Sequence, residues 1–540
     1  MLAWNIANVW ESVAAAQPDH PTVVQGEQVW SSARLDHHAS AFASALLEAG
    51  LERQAKVAVY LHNCPQFLAA YLGAFKARMV PVNVNYRYEP NELHYLFDNA
   101  DAEVIVFDVS FAPKLEALRA RLPRVKLWLA VGADVPAWAT SFDALTRIAK
   151  GVDAADRSAD DLMLLYTGGT TGSPKGVMWR QEDLIGVGGF CASPLQGVPP
   201  LAAPEEAGPR AQQLPRIVSC IPCPLMHGTG LFGALRSLQM GGTIVLLPRH
   251  SFDAEALWDQ VERWHVTRIS IVGEPFARPM LEVLDAFPRR WQLQSVELIM
   301  SSGAMWSRET KEGLLRHMPQ ALLGDGLSSS EAMGLANSYA SAGAPSDTAR
   351  FTVGASCAVF DEAGQRVTPG FGQRGRVAVT GHIPLGYYKD PEKSARAFPV
   401  LEGRRWSMPG DYAEISADGT LLLLGRGSQC INTGGEKVFP EEVEEALKRH
   451  AAVRDSAVVG IADARYGERI CAVVALREPG SASEGALIAH TKAQLAAYKA
   501  PRHVFFVEQL YRAPNGKLDY THLKHFAEQC YSELTAPAGT

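Results

Sequence analysis

A chain of 540 residues is too long for a single hydrophobic core and implies at least two domains. Its 47% hydrophobic and 20% charged content is that of a soluble globular enzyme, and 51 Lys and Arg against 58 Asp and Glu leave a net charge of −7, which argues against nucleic-acid binding through a generally basic surface. No apolar run is long enough to span a bilayer, Met1-Leu2-Ala3-Trp4-Asn5 has no basic region ahead of an apolar segment, and eight cysteines spread over such a length make no disulfide scaffold, so a cytoplasmic location is expected.

Helical and apolar patterns alternate from the start. Trp10 onward reads as a helix, Thr22-Val23-Val24 as a short strand, and Ser32 to Leu47 as a helix closed by Gly50. Strands follow at Lys56 to Leu61, Val80 to Val84, Glu103 to Phe107 and Lys126 to Val131, separated by helices at Pro65 to Ala77, Glu92 to Asn99 and Ala112 to Arg121. This alternation predicts parallel βαβ units. The next apolar run, Leu162 to Leu165, leads into Tyr166-Thr167-Gly168-Gly169-Thr170-Thr171-Gly172-Ser173-Pro174-Lys175-Gly176-Val177. Glycines let backbone N–H groups approach a ligand closely, hydroxyls donate, and a lysine adds a mobile charge, so this loop suits phosphate oxygens. Lys175 stands apart from Gly172 and is followed by Gly176, which disfavours the Gly-Lys-Ser/Thr helix start of kinases and GTPases.

Ser193 to Arg216 is rich in Pro, Ala, Gly, Glu and Gln with little periodicity and predicts a surface excursion. A strand at Ile217 to Ile221 precedes the turn Cys223-Pro224-Leu225-Met226-His227-Gly228. Cys220 and Cys223 with His227 lack the second ligand pair of a structural zinc site, so buried or pocket-lining thiols are expected. His227 leaves a strand end beside Gly228 and Gly230, where α/β sheets bind ligands, and both a structural and a functional role stay open. Strands at Thr243 to Leu247, Arg268 to Val272 and Ser295 to Met300 alternate with helices at Ala254 to Trp264 and Phe276 to Ala286. The small residues Ser301-Ser302-Gly303-Ala304 then allow a flat ligand to lie against backbone. Leu322-Leu323 runs into Gly324-Asp325-Gly326-Leu327-Ser328-Ser329-Ser330-Glu331, where hydroxyls suit phosphate and a carboxylate suits Mg²⁺, although a helix start has the same pattern.

Beyond Gly354, Ala355 to Phe360, Arg374 to Thr380, Arg404 to Met408 and Thr420 to Leu424 read as antiparallel strands, with Asp411 on a tight turn. A separate small domain follows Gln429. It holds a helix opened by Pro440, strands at Ala457 to Gly460, Cys471 to Ala475 and Val504 to Val507, a helix at Leu487 to Ala496, and the Pro- and Gly-rich loop Arg512 to Lys517.

Seven motifs in this order, Tyr166 to Val177, Pro224 to His227, Ser328 to Glu331, Gly410-Asp411, Gly425-Arg426, Gly434-Gly435-Glu436 with Pro440, and Pro514 to Lys517, resemble the adenylate-forming superfamily of acyl-CoA synthetases, firefly-luciferase-like enzymes and peptide-synthetase adenylation domains. The resemblance covers nearly the whole chain. It implies an α/β fold with a large N-terminal domain, residues 1–428, of parallel α/β sheet layers plus a β-rich subdomain, and a small mobile α+β C-terminal domain, residues 429–540. It also implies that Thr167, Gly168, Gly169, Thr170, Thr171, Gly172 and Lys175 hold the β- and γ-phosphates of ATP, that Glu331 binds Mg²⁺ with Ser330 at the α-phosphate, and that Gly303 and Ala304 flank adenine. Asp325 and Ser328 belong to the same nucleotide site, Asp411 takes the ribose hydroxyls, and Arg426 supports ribose and phosphate. Lys517 bridges the substrate carboxylate and the α-phosphate. After rotation of the small domain, Gly434, Gly435 and Glu436 line a channel for the pantetheine of CoA. The acid pocket is expected from His227 to Phe232 and around Gly303 to Met305.

The chain departs from the family's usual pattern at Leu327, commonly aromatic, at Ser328, commonly glycine, at Pro409 before Gly410-Asp411, commonly threonine, and at the hinge residue Gln429, commonly Asp or Lys. Asn83 to Tyr88, Gly176 to Arg180 and Gly427 to Val438 resemble the bacterial branch that acts on fatty acids and steroid-derived carboxylates. The implied activity is an acid–thiol ligase that joins a small-molecule carboxylic acid to CoA through an acyl-adenylate, releasing AMP and pyrophosphate. No nucleic-acid partner and no transmembrane segment are expected, and homodimerisation stays open. Two other readings stand beside it: loading of a carrier-protein pantetheine instead of free CoA, and nucleotide binding by a regulatory protein without chemistry.

Overall fold

The computed structural model describes residues 2–145, 148, 153–169, 172–193, 196–304, 306–344, 348–433, 436–463, 467–495, 497–510, 512 and 517–535. The chain forms two compact units, Met1–Thr348 with Val379–Ser407, and Ala349–Ala378 with Met408–Thr540. No helix among the described residues is long and apolar enough to cross a membrane.

The first unit has two sheets. In one, the order is Gln28–Ser31, Pro21–Gln25, Thr243–Leu246, Val218–Cys220, Arg268–Ile271, Leu298–Ser302, Leu322–Ser329 and Ala332–Ala340. Neighbours from Pro21–Gln25 through Leu322–Ser329 pair in parallel, and antiparallel strands flank them. The other is eight-stranded, in the order Gly386–Tyr387, Gly172–Arg180, Leu162–Gly169, Val80–Asn83, Lys56–Tyr60, Ala102–Asp108, Leu127–Val131 and Thr140–Ser141. Its inner strands are also parallel, as the strand–helix alternation predicts. Ala58, Val80, Val82, Ile105 and Leu164 pack there against Leu93, Leu96 and Phe97 of the Pro90–Asn99 helix.

Several elements differ from the sequence reading. The first helix starts at Ile6 because the Asn5 side chain caps it, accepting from Ala7 N. The helix expected over Ala112 to Arg121 shortens to Ala112–Glu116 with a 3₁₀ turn at Arg119–Arg121. The expected excursion after Ser193 contains a docked helix, Ala207–Gln213, whose Ala207, Gly208 and Ala211 are buried. Small residues allow that close approach: Gly208 N donates to Ser12 Oγ at 2.9 Å, and Gln212 Nε2 to Ala16 O at 2.7 Å.

In the second unit, Arg350–Val353, Thr420–Arg426 and Asp411–Ile415 pair antiparallel in that order, and the start of Arg374–Thr380 joins Asp411–Ile415. A five-stranded sheet follows, ordered Glu436–Val438, Ile431–Thr433, Gly467–Leu476, Val453–Asp463, with His503–Val507 parallel to Gly467–Leu476. Both faces of its long hairpin are covered. Val458, Ile470, Ala472 and Val474 meet the helices Pro440–Lys448 and Glu484–Gln494, whereas Ala457, Val459, Cys471 and Val473 meet Leu523 and Ala527 of a helix at Tyr520–Thr535. Two-sided burial accounts for the unbroken apolar runs.

Candidate active site

The glycine-rich segment is a β-hairpin. Sequence alone places its strand at Leu162 to Leu165, but the ladder continues through Thr167↔Lys175 to Gly169↔Gly172, and only Thr170 and Thr171, which lie outside the described residues, separate the arms. Directly opposed residues share a face, so Thr167 and Lys175 project together. Tyr166, one residue on, faces the core, and its hydroxyl donates to Asn99 Oδ1 at 2.6 Å. Asn83 fixes the same point: its Oδ1 accepts from Tyr166 N at 2.6 Å, and its Nδ2 donates to Tyr166 O at 2.9 Å and Met226 O at 2.7 Å.

Met226 belongs to the turn before His227. Asn63 holds that turn from the other side, with Nδ2 donating to Cys223 O at 3.0 Å and Oδ1 accepting from Leu225 N at 2.7 Å. His227 is thereby placed as the residue before the Gly228–Gln239 helix, half-buried. Cys220 and Cys223 are buried, and burial pushes both thiols up, Cys223 to about 12. Both are protonated thiols at neutral pH. No group of three or more His, Cys, Asp or Glu side chains that could hold a metal occurs among the described residues.

The serine-rich segment is a second hairpin rather than a helix start. Leu322–Ser329 pairs antiparallel with Ala332–Ala340, and Ser330-Glu331 forms the tip. The tip is clamped: Trp179 Nε1 donates to Ser330 O at 3.0 Å, Ser407 Oγ to Glu331 O at 2.6 Å, and Ser329 Oγ accepts from Glu331 N at 3.2 Å. Ser328 Oγ accepts from Gly334 N at 3.3 Å. The parallel register sets Ser301 beside Asp325 and Ser302 beside Gly326, which brings the Gly303-Ala304 exit next to this hairpin. Asp325 is buried against Lys311 at 2.7 Å; burial raises its carboxyl while the ammonium holds it down. Met305 lies outside the described residues.

Tyr387, which sequence reasoning missed, connects the two hairpins. It lies on the two-residue strand Gly386–Tyr387, opposite Val177. Its hydroxyl donates to Glu331 Oε1 at 2.9 Å, and Lys175 Nζ lies 5.1 Å from its ring centroid. A single carboxylate beside a tyrosine hydroxyl, on a serine-rich tip, is a donor set that fits Mg²⁺, which takes one or two protein carboxylates and completes its shell with substrate phosphates and water.

The second unit carries its own share of candidate residues. Asp411 stands at the start of a strand rather than on a tight turn, directly across the ladder from Arg426, whose Nε lies 3.4 Å from Asp411 Oδ1. Gly425 has φ +125°, and a Cβ there would overlap the Glu441 carboxylate. Glu441 Oε1 accepts from Arg426 N at 3.3 Å, and its Oε2 finds no hydrogen-bond partner among the described residues. Thr433 pairs with Glu436, and Gly434 and Gly435 between them lie outside the described residues. Lys517 is exposed. The base of its loop is pinned, since Arg512 bridges to Leu518 and grips Asp455 with two bonds of 2.8 Å.

The AMP-binding enzyme family matches residues 10–388, and the AMP-binding enzyme C-terminal domain matches residues 442–517. A medium/long-chain-fatty-acid–CoA/3-oxocholest-4-en-26-oate–CoA ligase of Mycolicibacterium smegmatis is 37% identical over 98% of this chain and 97% of its own length. A 3-oxocholest-4-en-26-oate–CoA ligase of Rhodococcus rhodochrous is 38% identical over 96% of this chain and 95% of its own. The crystal structure of the anthranilate CoA ligase AuaEII in complex with anthranoyl-AMP has the same fold, with a TM-score of 0.83 at 21% identity over 98% of this chain and 99% of that one.

Proposed function

The chain belongs to the AMP-binding enzyme family, and on that premise we propose that it activates a hydrophobic carboxylic acid, a medium- or long-chain fatty acid or a steroid-derived carboxylate, to its CoA thioester. The observation that carries this reading is identity of 37% and 38% over nearly the full chain to ligases named for those acids. A carboxylate oxygen attacks the α-phosphorus of ATP, the bond to the bridging oxygen breaks, and pyrophosphate leaves. The CoA thiol then attacks the acyl carbon, its proton is lost, and AMP departs.

Thr167, Gly168, Gly169, Thr170, Thr171, Gly172 and Lys175 hold the β- and γ-phosphates, and Ser330 and Ser328 line the path to the α-phosphate. Glu331 would hold Mg²⁺, which would supply positive charge against the phosphates. Gly303 and Ala304 border adenine, with Asp325 supporting the adjoining strand. Asp411 accepts the ribose hydroxyls and Arg426 steadies them. His227 lines the acid pocket. Lys517 supplies the cation that offsets charge developing in the in-line attack. Residues 429–540 then turn about Gln429, which withdraws Lys517 and brings Gly434, Gly435 and Glu436 to the pantetheine. A cytoplasmic location gives the enzyme both ATP and CoA.

AMP release should be measured with short, medium, long, aromatic and steroidal acids, with and without CoA. CoA-dependent AMP release strongest for long-chain or steroidal acids is the expected outcome. Pyrophosphate exchange without CoA-dependent AMP release would move the acceptor to a carrier protein. No AMP with any acid would sink the ligase reading.

A further inference from the structure

Lys175 and Glu331 sit on separate hairpins, and neither hairpin by itself sets the distance between them. Tyr387 touches both, through its ring and its hydroxyl. Its own position is fixed elsewhere. Tyr387 N donates to Ser394 Oγ at 2.8 Å, Tyr388 N donates to Gly176 O at 2.8 Å, the strand pairs with Met178 and Val177, and the ring packs edge-on against Phe398 at 5.8 Å. The side chain is also buried, at 8% exposure. A rigid aromatic therefore lies between two long, rotamer-rich side chains and limits the freedom of each. Lys175 and Val177 alternate onto one face of their strand, and Tyr387 stands directly across from Val177, so the diagonal contact with Lys175 follows from the register.

We propose that Tyr387 is a positioning residue that holds the Lys175 ammonium and the Glu331 carboxylate at a fixed spacing for one Mg²⁺-bound polyphosphate. It rests on the reading of Lys175 and Glu331 as the phosphate lysine and the metal carboxylate of ATP binding. The hydroxyl commits Oε1 of Glu331 to the protein and thereby orients the carboxylate. The electron-rich ring face holds the ammonium by a cation–π contact without neutralising it, as a carboxylate partner would. The two contacts are separable by substitution: Phe at 387 keeps the ring and loses the hydroxyl, and Leu loses both.

The test is equilibrium binding of ATP to the full-length protein, by calorimetry, with Mg²⁺ and with a chelator in its place. Tyr387→Phe is expected to bind metal-free ATP as the wild type does and to lose roughly tenfold of the affinity gained with Mg²⁺, the scale of one hydrogen bond to a charged group. Tyr387→Leu should in addition weaken metal-free ATP binding, because Lys175 loses its ring. KM for the acid and for CoA should be unchanged in Tyr387→Phe. Wild-type Mg²⁺ dependence in Tyr387→Phe, or equal weakening with and without Mg²⁺, overturns the proposal. Glu331→Gln separates the two levels: if it keeps the full Mg²⁺ gain, the metal reading of Glu331 fails and the role of Tyr387 falls with it; if it loses that gain, the Phe variant decides.

Discussion

Glu441 is a carboxyl in an uncomfortable place. Burial, with Glu444 and Asp411 adding negative charge, pushes it up to about 8 from 4.5, while Arg426 N donates to it. Tyr520, hydrogen-bonded to Glu444, adds a neutral wall. In the unfolded chain the group ionises near its ordinary value, so between the two values the native state holds the extra proton. Its contribution to stability is fully present below about pH 4.5 and is lost as pH rises towards about 8. Melting curves of wild type and Glu441→Gln from about pH 5 to about pH 8 should therefore diverge, with the wild type losing more; parallel curves would remove the cause assigned here. Of the candidate residues at this scale, Lys175, Glu331, Asp411 and Lys517 could be nominated from sequence because each stands in a motif whose chemistry is local. Asn63, Asn83, Tyr387 and Glu441 act on groups far away in sequence, so nothing beside them announces a role. Asn83 came nearest to legibility, as an amide ending the otherwise apolar strand Val80–Asn83.

At the scale of elements, close packing sets the tolerances. The helices Ser32–Glu48 and Pro65–Lys76 meet at Gly73, where a Cβ would lie 2.6 Å from Ala39 O and 2.7 Å from the Phe42 ring. Helix propensity favours alanine over glycine by about 1 kcal/mol. Overpacking opposes it at about 1–3 kcal/mol, and contact with an immobile backbone carbonyl puts this site towards the upper part of that range. Gly73→Ala should thus destabilise the first unit by about 1–2 kcal/mol net, read as a lower urea midpoint at unchanged slope. An unchanged or higher midpoint would mean that the helices separate freely. The parallel strands were legible because buried strands are apolar throughout, whereas Thr167 to Gly169 and Gly324 to Ser329 form ladders from residues with no apolar signature. The Ala207–Gln213 helix was hidden by Pro and Gly, and the Tyr520–Thr535 helix by its two His, two Thr and two Tyr, weaker helix formers. Their tertiary contacts, not their composition, make them helices.

For the whole molecule, the informative contrast is between two lysines in different units. Lys517→Ala is expected to slow acyl-adenylate formation by about a hundred- to a thousandfold, the usual loss when one group aimed at developing charge is removed. Thioester formation from supplied acyl-AMP should be largely spared. Lys175→Ala, at the lysine proposed to act on ATP handling and the leaving group, should be milder. Single-turnover assays of each half-reaction measure both, and equal loss in the two half-reactions for Lys517→Ala, or a deeper defect for Lys175→Ala, would reject this division of labour. The path of the chain bears on how such an enzyme is made. It leaves the first unit at Thr348, gives Ala349–Ala378 to the second, returns for Val379–Ser407 and departs again at Met408. Tyr387 lies on the returning segment. N-terminal domains ordinarily fold while the remainder is still being synthesised. Here a nascent chain stalled before Val379 carries both hairpins but lacks the tyrosine that joins them, so the phosphate side of the proposed ATP site is assembled only once the returning segment has cleared the ribosome.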